Sequence, residues 1–244
     1  MPKIRSVLSV FAIVLAVAPV AAHAAPATPE VPGPPSDTAA WTATLKHPVV
    51  ARSAPRATAR PVAKLDAVTA FWRRTQRLLV LSEVVTDASG QGWVRVRLPE
   101  RPNRSSGFVR TSEVTLGATS MRIVVRIGAR SVELWKGGRR IGRYRAAVGT
   151  SGTPTPTGMF AIQDPVPSLG AQRGYLGPYI LTLTAYSPVL TSFMGGNGLV
   201  AIHGTNASSL LGQAVSHGCI RISNEAVSRL YTIARPGVPV EIVR

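Results

Sequence analysis

From Leu199 to Ile222 the chain reads LVAIHGTNASSLLGQAVSHGCIRI, and no other stretch constrains the fold as much. Leu199, Val200, Ala201 and Ile202 have the length and composition of a buried strand. His203 ends that run, where a side chain is held firmly and can face a neighbouring loop. Cys219, the only cysteine of the chain, follows 16 positions later. That length lets the backbone turn back and set the thiol beside the ring. A free thiol is only a few per cent ionised at neutral pH, and an imidazole close by can take its proton and leave an ion pair. Gly218, just before the cysteine, lets the backbone approach closely enough to aim N–H groups at a developing oxyanion.

Each residue alone has an ordinary explanation. A lone cysteine packs as a small hydrophobe, and a lone histidine sits satisfied in the core or on the surface. Their pairing in a strand-His-Gly and Ser-His-Gly-Cys frame points instead to a nucleophile and its base. His203, His217 and Cys219 could also hold zinc with an open position, but the surrounding sequence supplies no carboxylate base for such a site. Residue types carry the reading as far as acyl transfer through a thiol.

The text HGT followed by SHGCIR resembles the signature of the L,D-transpeptidase (YkuD) catalytic domain, over about the C-terminal half of the chain. The resemblance implies Cys219 as nucleophile, His203 as base and the Gly204 carbonyl as the group that orients the ring. It implies an oxyanion hole shaped by His217, Gly218 and Cys219, with Arg221 and Ser216 beside the substrate. The donor it implies is a peptidoglycan stem peptide that releases D-alanine. The acceptor is an amine on a neighbouring stem, and neither a cofactor nor a metal is needed. Water attacking in place of the amine would make the same site an L,D-carboxypeptidase. A wall-binding protein with an inert C-terminal domain is the reading from a different class.

Glycine (22) and proline (20) are plentiful, which favours strands and turns over long helices. The expected fold is mainly β: a small SH3-like barrel, then a β-sandwich-like catalytic domain with one or two short helices. Met1 to Ala24 has a basic start, an apolar run and a small-x-small site at Ala22-His23-Ala24, the pattern of a signal peptide. Export to the cell envelope follows from it, with membrane attachment only if the leader stays uncleaved. Residues 25–40 are rich in Pro and Ala and read as an extended tether. In an exported chain a single cysteine is either reactive or intermolecular.

Residues 41–117 read as short strands. Val49–Pro55 and Arg77–Thr86 are two of them, and Gly92–Leu98 alternates strictly. That alternation puts Val94, Val96 and Leu98 on one face and Trp93, Arg95 and Arg97 on the other. GWVRVRLPERPN followed by GFVRTSEV resembles the bacterial SH3-like domain that often precedes this catalytic domain. It reads equally as a wall-binding module or a spacer, with Trp72, Trp93 and Phe108 as core or rim aromatics.

In residues 120–244, MRIVVRI and SVELWK are strands, the second ending at a Gly137-Gly138 turn whose partner pairs back as a hairpin. Met159–Gln163 and Tyr179–Thr184 are further strands. GTSGTPTPTG is a stiff loop that also resembles the family's active-site rim. Ser187–Gly198 is the expected lid, with Phe193 and Met194 as covers. Ser223 caps a helix over Asn224–Ala234 that buries Ala226, Leu230 and Ile233, and VPVEIV returns as a closing strand.

The formal charge is +17, with 28 basic and 11 acidic residues spread along the chain. No Lys/Arg block marks a nucleic-acid arm. The excess reads as a solvated basic surface or as attraction to an anionic cell-wall polymer.

Overall fold

A computed structural model describes residues 31–193 and 195–244. The leader, the first part of the tether and Met194 lie outside the described residues. The end of the tether is not free chain: Asp37 pairs with Arg122, and the first strand begins at Ala40.

The buried apolar side chains fall into two principal clusters. The first gathers Ala43 to Val114, among them Leu78, Val94, Val96, Leu98 and Val109. Its strands form a three-stranded sheet (Arg77–Leu79, Ala40–Leu45, Val114–Thr119) and a five-stranded one (Pro61–Leu65, Val49–Arg52, Ser106–Arg110, Gly92–Arg97, Val85–Thr86). The expected single strand Arg77–Thr86 is two pieces. Arg77–Leu79 pairs with Thr42–Thr44, Val80 bridges to Val96, and Val85–Thr86 pairs with Gly92–Trp93. The segment crosses from one sheet to the other at Val80–Leu81, where the Val80 N–H donates to the Trp41 carbonyl and the Leu81 N–H to the Arg95 carbonyl, so apolar continuity along it marks a change of partner rather than one strand.

The second face of Gly92–Arg97 also departs from expectation. Trp93 and Arg97 are buried beside Val94 and Val96, and only Arg95 faces out. The Trp93 indole N–H donates to Asp87 at 2.8 Å, and the Arg110 guanidinium lies over its ring at 5.3 Å. The loop and neighbouring strand cover a face that alternation alone assigns to solvent. Trp72, by contrast, is a rim aromatic, well exposed.

The second cluster runs from Ile123 to Ile242 and includes Phe160, Ile162, Leu181, Leu183, Ile202 and Ile220. One eight-stranded sheet carries it, in the order Arg139–Arg145, Ser131–Lys136, Met121–Arg126, Pro239–Val243, Gly158–Pro167, Tyr179–Tyr186, Leu199–His203, Ile220–Arg221. The last strand of the chain sits in the middle, parallel to Met121–Arg126 and antiparallel to Gly158–Ala161. Gly137 and Gly138 both take positive φ, 56° and 77°, as a tight hairpin turn requires. The helix Asn224–Ile233 starts where expected: Ser223 Oγ accepts from Ala226 N–H at 3.1 Å. Ala226, Val227 and Leu230 are its buried face; Ile233 is only partly covered. A short helix at Gln172–Leu176 and a 3-10 turn at Ser208–Leu210 add to the helical content. No helix among the described residues is long and apolar enough to cross a membrane.

The two parts meet at a small apolar contact, Ala40 and Leu79 against Ala161, and at several polar ones. Asp164 is fully buried, and one of its oxygens accepts from the Phe71 and Trp72 amides at 3.1 and 2.8 Å. Arg74 donates to the Tyr231 hydroxyl. The Asn103 side chain both donates to the Tyr186 carbonyl and accepts from its N–H, each at 2.7 Å. These contacts tie the first part to the strands Gly158–Pro167 and Tyr179–Tyr186 and to the helix Asn224–Ile233.

Candidate active site

Two edge strands bring the sequence-selected residues together. Leu199–His203 and Ile220–Arg221 pair in parallel, with Ile202 beside Ile220 and His203 beside Arg221. One residue further back, Cys219 lies beside Ala201, whose backbone hydrogen-bonds to it. Strand alternation therefore gives Ala201, His203, Cys219 and Arg221 one common face. The imidazole and the thiol are diagonal neighbours on that face.

His203 is 5% exposed, and its Nδ1 donates to the Gly204 carbonyl at 2.7 Å. Donation from Nδ1 leaves Nε2 as the basic nitrogen in the neutral ring. A close backbone crossing sets that carbonyl. A Cβ on Gly204 would stand 2.2 Å from Asn224 Oδ1 and 2.9 Å from the Gly177 Cα. Asn224 Oδ1 in turn accepts from Thr205 N–H at 3.0 Å. Asn224 and Gly177 thus pack behind the His203 backbone. Nothing in the local sequence marks either of them.

The nucleophile turn is framed by the Thr-Pro segment. Thr153 Oγ1 donates to the Ser216 carbonyl at 3.1 Å, and Thr155 Oγ1 donates to the Gly218 carbonyl at 3.0 Å. Thr150 N–H also donates to the Ser216 carbonyl. Gly218 takes φ 115°, which only glycine adopts without strain.

Two expectations are corrected here. Ser216 does not face a substrate: it is buried, its hydroxyl donates to the Cys219 carbonyl and accepts from Gly218 N–H at 3.1 Å. The Gly218 amide is therefore engaged within the turn and is not offered to an oxyanion. Among the described hydrogen bonds, the His217 and Cys219 amides have no protein acceptor.

The protonation state also differs from a resting ion pair. Burial pushes the Cys219 thiol up, against the pull of the Ala201 backbone and the Arg221 charge. The residue keeps some exposed area, yet the sulfur itself is well enclosed. Burial brings His203 down to about 4, the Gly204 and Leu176 carbonyls opposing and Arg221 reinforcing it. A raised thiol and a lowered imidazole favour the neutral pair. The proton then moves only as a carbonyl carbon arrives at the sulfur. Alkylation of Cys219 by iodoacetamide is expected to be slow at pH 7 and to climb steadily through the alkaline range. A reactive plateau below pH 7 would show a standing thiolate and contradict the neutral pair.

The Ser187–Gly198 loop covers the turn. Phe193 stacks on the exposed His217 ring, centroids 4.7 Å apart. Phe193 and Gly196 exchange two backbone hydrogen bonds at the loop tip. At the loop's base the Arg101 guanidinium donates to the carbonyls of Ser187, Leu190 and Asn197 at 2.9, 2.9 and 3.2 Å. Arg101 belongs to the first part in sequence, and no local pattern there signals its contact with this loop. Among the described residues no three His, Cys, Asp or Glu side chains gather as a metal site.

Comparison with known proteins bears on this arrangement. Residues 120–242, half of the chain, match the family model of the L,D-transpeptidase catalytic domain (YkuD). The chain is similar to the putative L,D-transpeptidase YkuD of Bacillus licheniformis, 36% identical over 121 residues, 50% of this chain and 64% of that protein. It is 38% identical over 122 residues to the putative L,D-transpeptidase YkuD of Bacillus subtilis, 50% of this chain and 65% of that one. The matches therefore span just under two thirds of the length of these relatives. Among solved structures, an L,D-transpeptidase from Mycobacterium tuberculosis aligns with a TM-score of 0.45 at 19% identity, over 69% of this chain and 90% of that one.

Proposed function

This chain belongs to the L,D-transpeptidase (YkuD) family of enzymes, and from that premise we propose that it transfers acyl groups between peptidoglycan stem peptides through a thioester on Cys219. The observation that carries the reading is the common face of His203 and Cys219 at the paired strand ends, beside two unused amides.

As Sγ attacks the donor carbonyl, Nε2 of His203 takes the thiol proton. The His217 and Cys219 N–H groups hold the oxyanion; one such donor contributes about 3 kcal/mol of barrier lowering. The C–N bond breaks, the imidazolium gives its proton to the departing D-alanine amine, and a thioester remains. An acceptor amine then forms the new amide as the C–S bond breaks, and its proton returns to sulfur through His203. Arg221, a fixed cation on the same face, pairs with a substrate carboxylate. The reading requires export to the envelope, in keeping with the leader pattern at Met1–Ala24. The N-terminal part is read as an SH3-like module that positions the catalytic part on the wall.

Intact mass after incubation with a disaccharide-tetrapeptide tests the proposal. The parent should gain the mass of the donor minus D-alanine, and Cys219→Ala should gain nothing. An unmodified parent that releases no D-alanine overturns it. Crosslinked dimer distinguishes transfer from hydrolysis, which yields free tripeptide alone.

A further inference from the structure

A cleft of about 940 Å³ lies along the seam between the two parts, next to the nucleophile turn. Its volume is at the upper end of the range for ligand sites. Arg101, Arg104 and Arg244 line it, and no Asp or Glu side chain does. Four prolines and Ile127 give it stiff apolar walls. One wall is a single residue removed from the nucleophile turn: Thr155 lines the cleft and bonds the Gly218 carbonyl. Pro188, at the root of the Phe193 loop, closes another side.

The seating of Arg104 is specific. Its backbone takes φ 71°, a conformation that costs a non-glycine residue free energy. Its guanidinium crosses the seam to donate to the Thr157 carbonyl at 3.2 Å. It lies against Gly158, where a Cβ would meet Nε at 2.9 Å. Among the described residues, neither Arg101 nor Arg104 pairs with a carboxylate. Nearby, buried Arg97 is held down to about 10, by burial first and then by the charges of Arg95 and Arg104. A cationic end with no Asp or Glu partner, on an open cleft with stiff apolar walls, suits an extended peptide with small apolar side chains and a free carboxylate.

We propose that this cleft binds a second, carboxylate-bearing stem peptide, anchored by Arg104, and so supplies the acceptor side of the transfer. The inference rests on the transpeptidase reading and goes beyond it by assigning a residue of the N-terminal part to substrate. It gives the enzyme a means of favouring amine over water, because a bound acceptor raises the local amine concentration.

The test uses Arg104→Gly, which removes the guanidinium and relieves the left-handed backbone, so the fold is retained. In a full-length Cys219→Ala protein, binding of a disaccharide-tripeptide is measured by calorimetry. Arg104→Gly is expected to weaken it about tenfold or more, and Arg104→Lys to restore part of the loss. Amidating the peptide's carboxylates should produce a similar loss with Arg104 present. Binding of the peptide that is equal with and without the Arg104→Gly substitution, within about twofold, overturns the proposal. So does a glycerol-phosphate oligomer that binds more tightly than the peptide in an Arg104-dependent way. Failure of the transpeptidase reading shows separately, as absence of the thioester in a protein with Arg104 intact.

Discussion

His203→Gln is expected to form its thioester 10²- to 10⁴-fold more slowly than the parent, roughly the range that a positioned general base contributes. Glutamine is the informative replacement because it sets a neutral amide where Nε2 stands, keeping a polar group there while giving up the contact that Nδ1 makes to the Gly204 carbonyl at 2.7 Å. What it lacks is a basic nitrogen toward Cys219. Because burial raises the thiol, the variant has no standing thiolate to fall back on near neutrality. The gap between variant and parent should therefore narrow as pH rises and solvent hydroxide ionises the sulfur unaided. Acylation is read by intact mass at each pH, and alkylation at high pH reports that the sulfur itself is undisturbed. A rate within about threefold of the parent at pH 7 would remove His203 from the role of base.

The pattern of what the sequence reveals follows from the range over which each feature is encoded. Local backbone chemistry is legible. The Gly137-Gly138 turn, the Ser223 cap and the apolar strand ending at His203 each depend on a few adjacent residues. The pairing of His203 with Cys219 is legible for a different reason: the chain has four histidines and one cysteine, and the strand and turn that carry these two lie close in sequence. Features that depend on segments meeting across the fold are not legible. Asn224 enters the site because it fits between Gly177 and Gly204, segments with no common local pattern. Ser216 reads as a substrate ligand in a motif, and only the folded turn shows its hydroxyl spanning two backbone groups. The charge state of the pair is a property of enclosure, and enclosure comes from strands and loops remote in sequence. The same holds for Arg101, whose three carbonyl partners all belong to the Ser187–Gly198 loop.

Gly204→Ala carries the largest expected structural penalty, and it acts on the base without touching its side chain. The added methyl would stand 2.2 Å from Asn224 Oδ1, 2.9 Å from the Gly177 Cα and 3.2 Å from the Leu176 carbonyl. Two of these three neighbours are backbone, so rotating a side chain cannot relieve the overlap. Asn224 cannot withdraw freely either, because its Oδ1 holds the Thr205 amide. Overpacking of this kind costs about 3 kcal/mol or more, a fall in Tm of about 6–12 °C for a chain of this size. Gly174→Ala is the matched control, since a Cβ there meets nothing within 4 Å; its Tm should move by less than about 2 °C. The thermal shift is measured by calorimetry. Thioester formation is then compared well below both transitions, where Gly204→Ala should remain slower because the carbonyl that fixes Nδ1 has moved. A variant that matches the control in Tm would mean that the Gly177–Gly204 crossing has slack. Carbonyl placement would then not be what holds His203 in its working orientation.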